Sequence, residues 1–96
     1  MQEWHMITIF KYTLDAGNVE LDFPVGAKIL TVAGQNDTPC IWAEVDTEAP
    51  TEKVIFEVYG TGHEIKRGMG IDREHIGTVL LCGGSLVWHV YRWCGI

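Results

Sequence analysis

The chain has 96 residues, a formal charge of −6, 47% hydrophobic and 21% charged residues, and ten aromatic Trp, Tyr or Phe positions. That length fits one domain, and the apolar content excludes a disordered chain. The acidic balance and the lack of any run of ~18 apolar residues argue against general nucleic-acid binding, attachment to anionic membranes and a membrane-spanning helix.

Period-two alternation, the signature of strands, dominates from the start. From Trp4 to Leu14, β-branched and aromatic residues fall on both parities, which predicts a strand covered on both faces for part of its length. Asp15-Ala16-Gly17-Asn18 reads as a turn; Val19, Leu21 and Phe23 then alternate with Glu20 and Asp22. Pro24-Val25-Gly26 ends that run. Lys28 to Ala33 predicts the next strand, closed by Gly34-Gln35-Asn36-Asp37, and Cys40 to Val45 the one after it. Asp46 to Lys53 is polar, contains Pro50 and reads as a loop. Val54, Phe56 and Val58 alternate with Ile55, Glu57 and Tyr59 in a further strand. Ile76 to Cys82 and Ser85 to Trp93 flank Gly83-Gly84, the strongest hairpin signal in the chain. The count is about seven antiparallel strands in a mainly β single domain, a β-sandwich or small barrel. No segment holds a 3.6-residue period; a helical turn at Asp72-Arg73-Glu74-His75 is the most that helix signals allow.

Cys40, Cys82 and Cys94 form no C-x-x-C pair and no even framework. Cys40 and Cys82 read as small buried fillers. Residues Met1 to His5 lack signal-peptide character, and with free thiols this predicts a reducing cytoplasm. A small domain with spare apolar surface is also expected to associate as a homo-oligomer.

Gly60 to Gly77 breaks the strand pattern. It holds five of the eleven glycines, three of the seven cations (Lys66, Arg67, Arg73), and His63 and His75. A long connection in a compact domain is usually functional or mobile. Glycines let backbone amides converge on an anion that Arg or Lys then neutralises. The candidate ligand-binding set is therefore Tyr59, Gly60, Thr61, Gly62, His63, Lys66, Arg67, Arg73 and His75, with Tyr59 or Trp42 stacking on a planar ligand. The plainer alternative is a solvated tip whose cations serve solubility alone. Sharper motifs fail: Gly60-Thr61-Gly62 lacks the third glycine of a dinucleotide fingerprint, and Arg67 stands where a zinc-protease helix needs its second His. No cofactor or metal is expected. His63, Glu64 and His75 are the residues an acid–base site would draw on, but no nucleophile accompanies them, so no catalytic residues are assigned. His5 and His89 sit inside alternating runs and read as packed or surface residues.

Phe10-Lys11-Tyr12-Thr13-Leu14, Gly26-Ala27-Lys28-Ile29-Leu30, Trp42-Ala43-Glu44-Val45-Asp46, Gly60-Thr61-Gly62-His63, Ile76-Gly77-Thr78 and Gly83-Gly84-Ser85-Leu86-Val87-Trp88-His89-Val90 together resemble a family of short, uncharacterised proteins of bacteriophages and prophages. The resemblance runs from about Met6 to Tyr91, leaving 1–5 and 93–96 as extensions; Lys66 to Asp72 is longer and more glycine-rich than in that family. It implies a small protein made in the host bacterial cytoplasm that disables a host process. One such class captures cyclic or ADP-ribose-derived nucleotide signals of bacterial defence without turnover. The alternative is a direct inhibitor of a host defence or CRISPR protein, with Asp46, Glu48 and Glu52 mimicking nucleic-acid charge. A minor virion or assembly component is a third reading.

Overall fold

In the computed structural model, residues 5–15, 17–68 and 70–95 are described. Among them the chain forms seven strands: β1 (Ile7–Thr13), β2 (Gly17–Pro24), β3 (Lys28–Gln35), β4 (Thr38–Asp46), β5 (Thr51–Gly60), β6 (Asp72–Leu81) and β7 (Leu86–Gly95). They make two antiparallel sheets, of order β1-β4-β3 and β2-β5-β7-β6. The expected β domain is therefore observed, as two facing sheets and not as a closed barrel.

The alternation decides which face each strand buries. Ile41, Ala43 and Val45 of β4 meet Val54, Phe56 and Val58 of β5, Val79 and Leu81 of β6 and Val90 of β7 in one core. Tyr12, Phe23 and Phe56 form an aromatic run through it, with ring centroids 4.9 and 5.6 Å apart. Phe56 is fully buried, so truncating it to Ala is expected to cost about 3–5 kcal/mol. The result is a slab of 53 × 35 × 15 Å. Its radius of gyration is 14.7 Å, above the roughly 12.5 Å typical of this length.

Local chemistry places the turns. Asn36 and Asp37 both take positive φ, at 53° and 59°, between paired Gln35 and Thr38. That is the two-residue hairpin geometry matched to strand twist, and Asn and Asp tolerate it. Pro24 to Ala27 turns with Gly26 at φ 81° and carries the chain from one sheet to the other. The β6–β7 connection needs three consecutive positive φ values, at Cys82, Gly83 and Gly84. Cys82 is therefore exposed in a tight connection, contrary to its reading as a buried filler; Cys40 is buried as expected.

Several boundaries differ from the sequence reading: Gly17 and Asn18 begin β2 and Gly34 and Gln35 end β3, although both pairs read as turn, and β4 starts at Thr38. Asp72 to His75 extends β6 and forms no helical turn, because its residues pair with β7 in the register Arg73↔Trp93 and His75↔Tyr91. Cross-strand pairing outweighs a lone capping residue. β7 includes Trp93 as expected and runs on to Gly95. β5 begins at Thr51, which shortens the expected 46–53 loop. Residues 1–4 of the amino-terminal extension, with Trp4, and Ile96 lie outside the described residues.

Candidate ligand site on the four-stranded sheet

Burying Val54, Phe56 and Val58 turns Ile55, Glu57 and Tyr59 to the opposite, outer face of the four-stranded sheet. Register then fixes their neighbours. Glu57 pairs with Tyr91 and Tyr59 with His89, while β6 brings His75 beside Tyr91 and Thr78 beside His89. The rings pack edge to face, Tyr59 to Tyr91 at 5.9 Å and His75 to Tyr91 at 5.2 Å.

Glu57 is only 3% exposed, an unusual place for a carboxylate. Arg73 Nε donates to its Oε1 at 2.5 Å, and the Tyr59 hydroxyl donates to Oε2 at 2.8 Å. Burial pushes the carboxyl up, but hydrogen bonds from Arg73 and Tyr59 and the nearness of the Trp93 indole outweigh it, so Glu57 titrates below its ordinary range. Trp93 Nε1 itself is buried without a hydrogen bond of normal geometry. Burial, then the bond to Glu57, raises the Tyr59 phenol; the bond to Glu57 likewise raises Arg73.

Arg73 also donates from Nη1 to the Lys66 carbonyl at 2.6 Å. One guanidinium thus fastens the 61–71 connection over the sheet, and the Ile71 amide closes a turn on the Gly68 carbonyl. Beneath this strap Ile65, Arg67, Gly68, Ile71, Arg73 and Tyr91 line a cleft of about 190 Å³. Lys66 and Arg67 are both exposed. Arg73 is already matched by Glu57, whereas Arg67, the other cation lining the cleft, has no carboxylate partner among the described residues.

A second network joins the histidines. Thr61 Oγ1 lies 2.8 Å from His89 Nε2, and Thr78 Oγ1 lies 3.2 Å from His89 Nδ1 and 3.3 Å from His75 Nε2. A hydroxyl has one proton to donate, so Thr78 gives to one imidazole and accepts from the other. His89, read from sequence as merely packed or surface, is the hub of this chain.

The Gly60–His63 segment is a tight turn. The Gly60 amide donates to His63 Nδ1 at 3.1 Å and the His63 amide to the Gly60 carbonyl at 3.0 Å. A Cβ at Gly60 would lie 2.9 Å from His63 Cε1, so a larger residue there would push the exposed His63 ring aside. The Gly60 amide is consequently spent inside the turn and does not face a ligand as the sequence reading expected. His63 rests on Trp88 at 5.9 Å, whereas His75 rests on Tyr91; the His63, Glu64 and His75 set is divided between them. Trp42 is on β4 in the other sheet, between Lys11 and Thr31, away from this cluster.

The sequence did not single out Glu57, Thr78, His89 or Tyr91. Glu57 carried a faint signal, a carboxylate at an alternating position two residues before Tyr59. The other three become site residues only through the register of β7 against β5 and β6. Elsewhere, His5, Asp46 and Glu48 cluster with ligand atoms within 4.8 Å of one another. The Glu48 amide first, and His5 with it, hold the Asp46 carboxyl below its usual range. No helix among the described residues is long and apolar enough to cross a membrane.

No curated protein and no solved structure matches the chain. Residues 6–94 match the family described as a domain of unknown function, DUF7352, and the chain belongs to that family.

Proposed function

We propose that this chain binds a small anionic, ring-bearing ligand on the outer face of the four-stranded sheet and holds it without turnover. The observation that carries the reading is the cleft under the 61–71 strap, where Arg67 stands beside Tyr91 and beside an Arg73 locked by Glu57. A cleft of about 190 Å³ takes a phosphate-sized group. The planar remainder of a nucleotide lies along the Tyr91 and His75 rings, where stacking contributes about 1–3 kcal/mol per base. A cyclic nucleotide or an ADP-ribose derivative has this chemistry. In the setting that the phage resemblance suggests, the protein is an anti-defence sponge in the host bacterial cytoplasm, working as a homo-oligomer.

The test is thermal unfolding with a panel of cyclic nucleotides and ADP-ribose derivatives. A ligand at a hundred times its Kd stabilises the fold by about 2.7 kcal/mol, because it binds only the native state. Arg67→Ser is expected to abolish that rise while leaving the ligand-free transition in place. No shift across the panel overturns the reading.

A further inference from the structure

The two sheets end in four edge strands, β1, β3, β2 and β6. Three are protected in ways that edges usually are. β3 and β6 lie against each other, with Gly77 close under Val32 and Gly34 under Leu81; β3 has a register break between Ile29 and Thr31, and β6 two of its own. β2 carries Glu20, Asp22 and Pro24. β1 has none of these. It runs seven residues without a bulge, bears one charge, Lys11, and exposes Ile7 at 57%, Ile9 at 56% and Phe10 at 42%.

Its main-chain directions follow from the two bonds that bracket it. The Met6 carbonyl accepts from the Thr47 amide, and the Leu14 amide donates to the Pro39 carbonyl. Even-numbered residues of β1 therefore address β4. Ile7, Ile9, Lys11 and Thr13 aim their amides and carbonyls at the open side. Among the described residues no strand meets them there.

We propose that β1 is the dimerisation strand of this chain, pairing antiparallel with β1 of a second copy to make one continuous six-stranded sheet. Only one register pairs all seven residues, the one with Phe10 opposite itself. It sets Ile7 against Thr13 and Ile9 against Lys11, four pairs that each exchange two main-chain bonds, about eight in all. Charge selects a second copy as the occupant. The chain is acidic at −6, yet this edge carries one cation and no carboxylate. In that register the cation faces Ile9 and never itself. Beyond that Ile9 stands the second copy's Glu44, the β4 neighbour of Ile9; Lys11, which within its own chain donates to Gln35 at 2.6 Å, would turn from it to meet that carboxylate. The interface lies on the sheet opposite the ligand cleft, so a monomer would overturn this proposal and the homo-oligomer clause of the proposed function while leaving ligand binding to be decided by the nucleotide panel.

Native mass spectrometry and light scattering of the whole chain should show a dimer. Because the Ile9 amide points away from β4, Ile9→Pro removes an intermolecular donor without removing a β1–β4 bond. Ile9→Pro, and Ile9→Lys as a second variant that keeps the amide, are expected to weaken the dimer by about a hundredfold with an unchanged circular dichroism spectrum. In a Cys82→Ser, Cys94→Ser background, Phe10→Cys should oxidise to a covalent dimer, since opposed residues of a non-hydrogen-bonded pair have Cα atoms about 4.5 Å apart. Ile7→Cys should not. A monomer at sub-millimolar concentration overturns the proposal. So does a dimer indifferent to both Ile9 variants, or one that Ile7→Cys links and Phe10→Cys does not.

Discussion

The outer face of the four-stranded sheet and the free edge of the three-stranded sheet are made of the same material, short alternating strands, and they treat polar groups in opposite ways. On the face, Glu57 is buried yet fully engaged, with a guanidinium on one oxygen and a phenol on the other. The Thr78 hydroxyl links the two histidines beside it. At the edge, Ile7, Ile9, Lys11 and Thr13 offer main-chain groups to the outside, and Ile7, Ile9 and Phe10 expose apolar side chains beside them. A charge can be buried where other strands supply its partners; a strand edge has to find them in another molecule. The two proposals, a small ligand on the face and a second chain at the edge, rest on this contrast.

The contrast breaks most sharply at Arg73. Arg73→Met leaves Glu57 buried without its counter-charge, and we expect a loss of about 3–5 kcal/mol in urea unfolding, together with release of the 61–71 strap, read as faster amide exchange at Ile71. The same pair sets an acid limit. Glu57 titrates lower in the fold than when unfolded, so its contribution is present above the unfolded value and is lost as pH falls through the folded one. Glu57→Gln should therefore flatten the acid limb of stability against pH.

Next in size is the seam between the sheets. A Cβ on Gly34 lies 2.3 Å from Leu81 Cδ2, inside a packed region, so Gly34→Ala should cost about 1–3 kcal/mol in thermal unfolding. Thr78→Val removes the hydroxyl that serves both histidines. We expect a loss of about 0.5–1.5 kcal/mol and altered ring nitrogen shifts for His75 and His89 by NMR. Smallest is Ile9→Lys measured at high dilution, where the edge is solvated. Stability there should change by no more than about 0.5 kcal/mol, against its large effect on association.

Much of the fold was legible because strand alternation is a local property. The parity of Val54, Phe56 and Val58 against Glu57 and Tyr59 already states which side is core. Asn36-Asp37 and Gly83-Gly84 announce their hairpins through the positive φ they accept. Asp72 to His75 was misread because its one helix cue was local, whereas its pairing with Tyr91 and Trp93 is not. The candidate site was half legible. Tyr59, Lys66, Arg67, Arg73 and His75 stood out by composition, but what each touches did not. Arg73 reads as a free cation in sequence and is a fastened one in the fold.

By itself the sequence determined the β character, most strand positions and the concentration of cations between Gly60 and Gly77, because these depend on residues a few positions apart. Only the tertiary structure decided that β7 inserts between β5 and β6, and with that the meeting of Glu57 with Arg73 and of His89 with Thr61 and Thr78. It also decided that β1 lies at an edge. Contacts between residues 11 to 28 positions apart depend on sheet order and register, which no local pattern encodes.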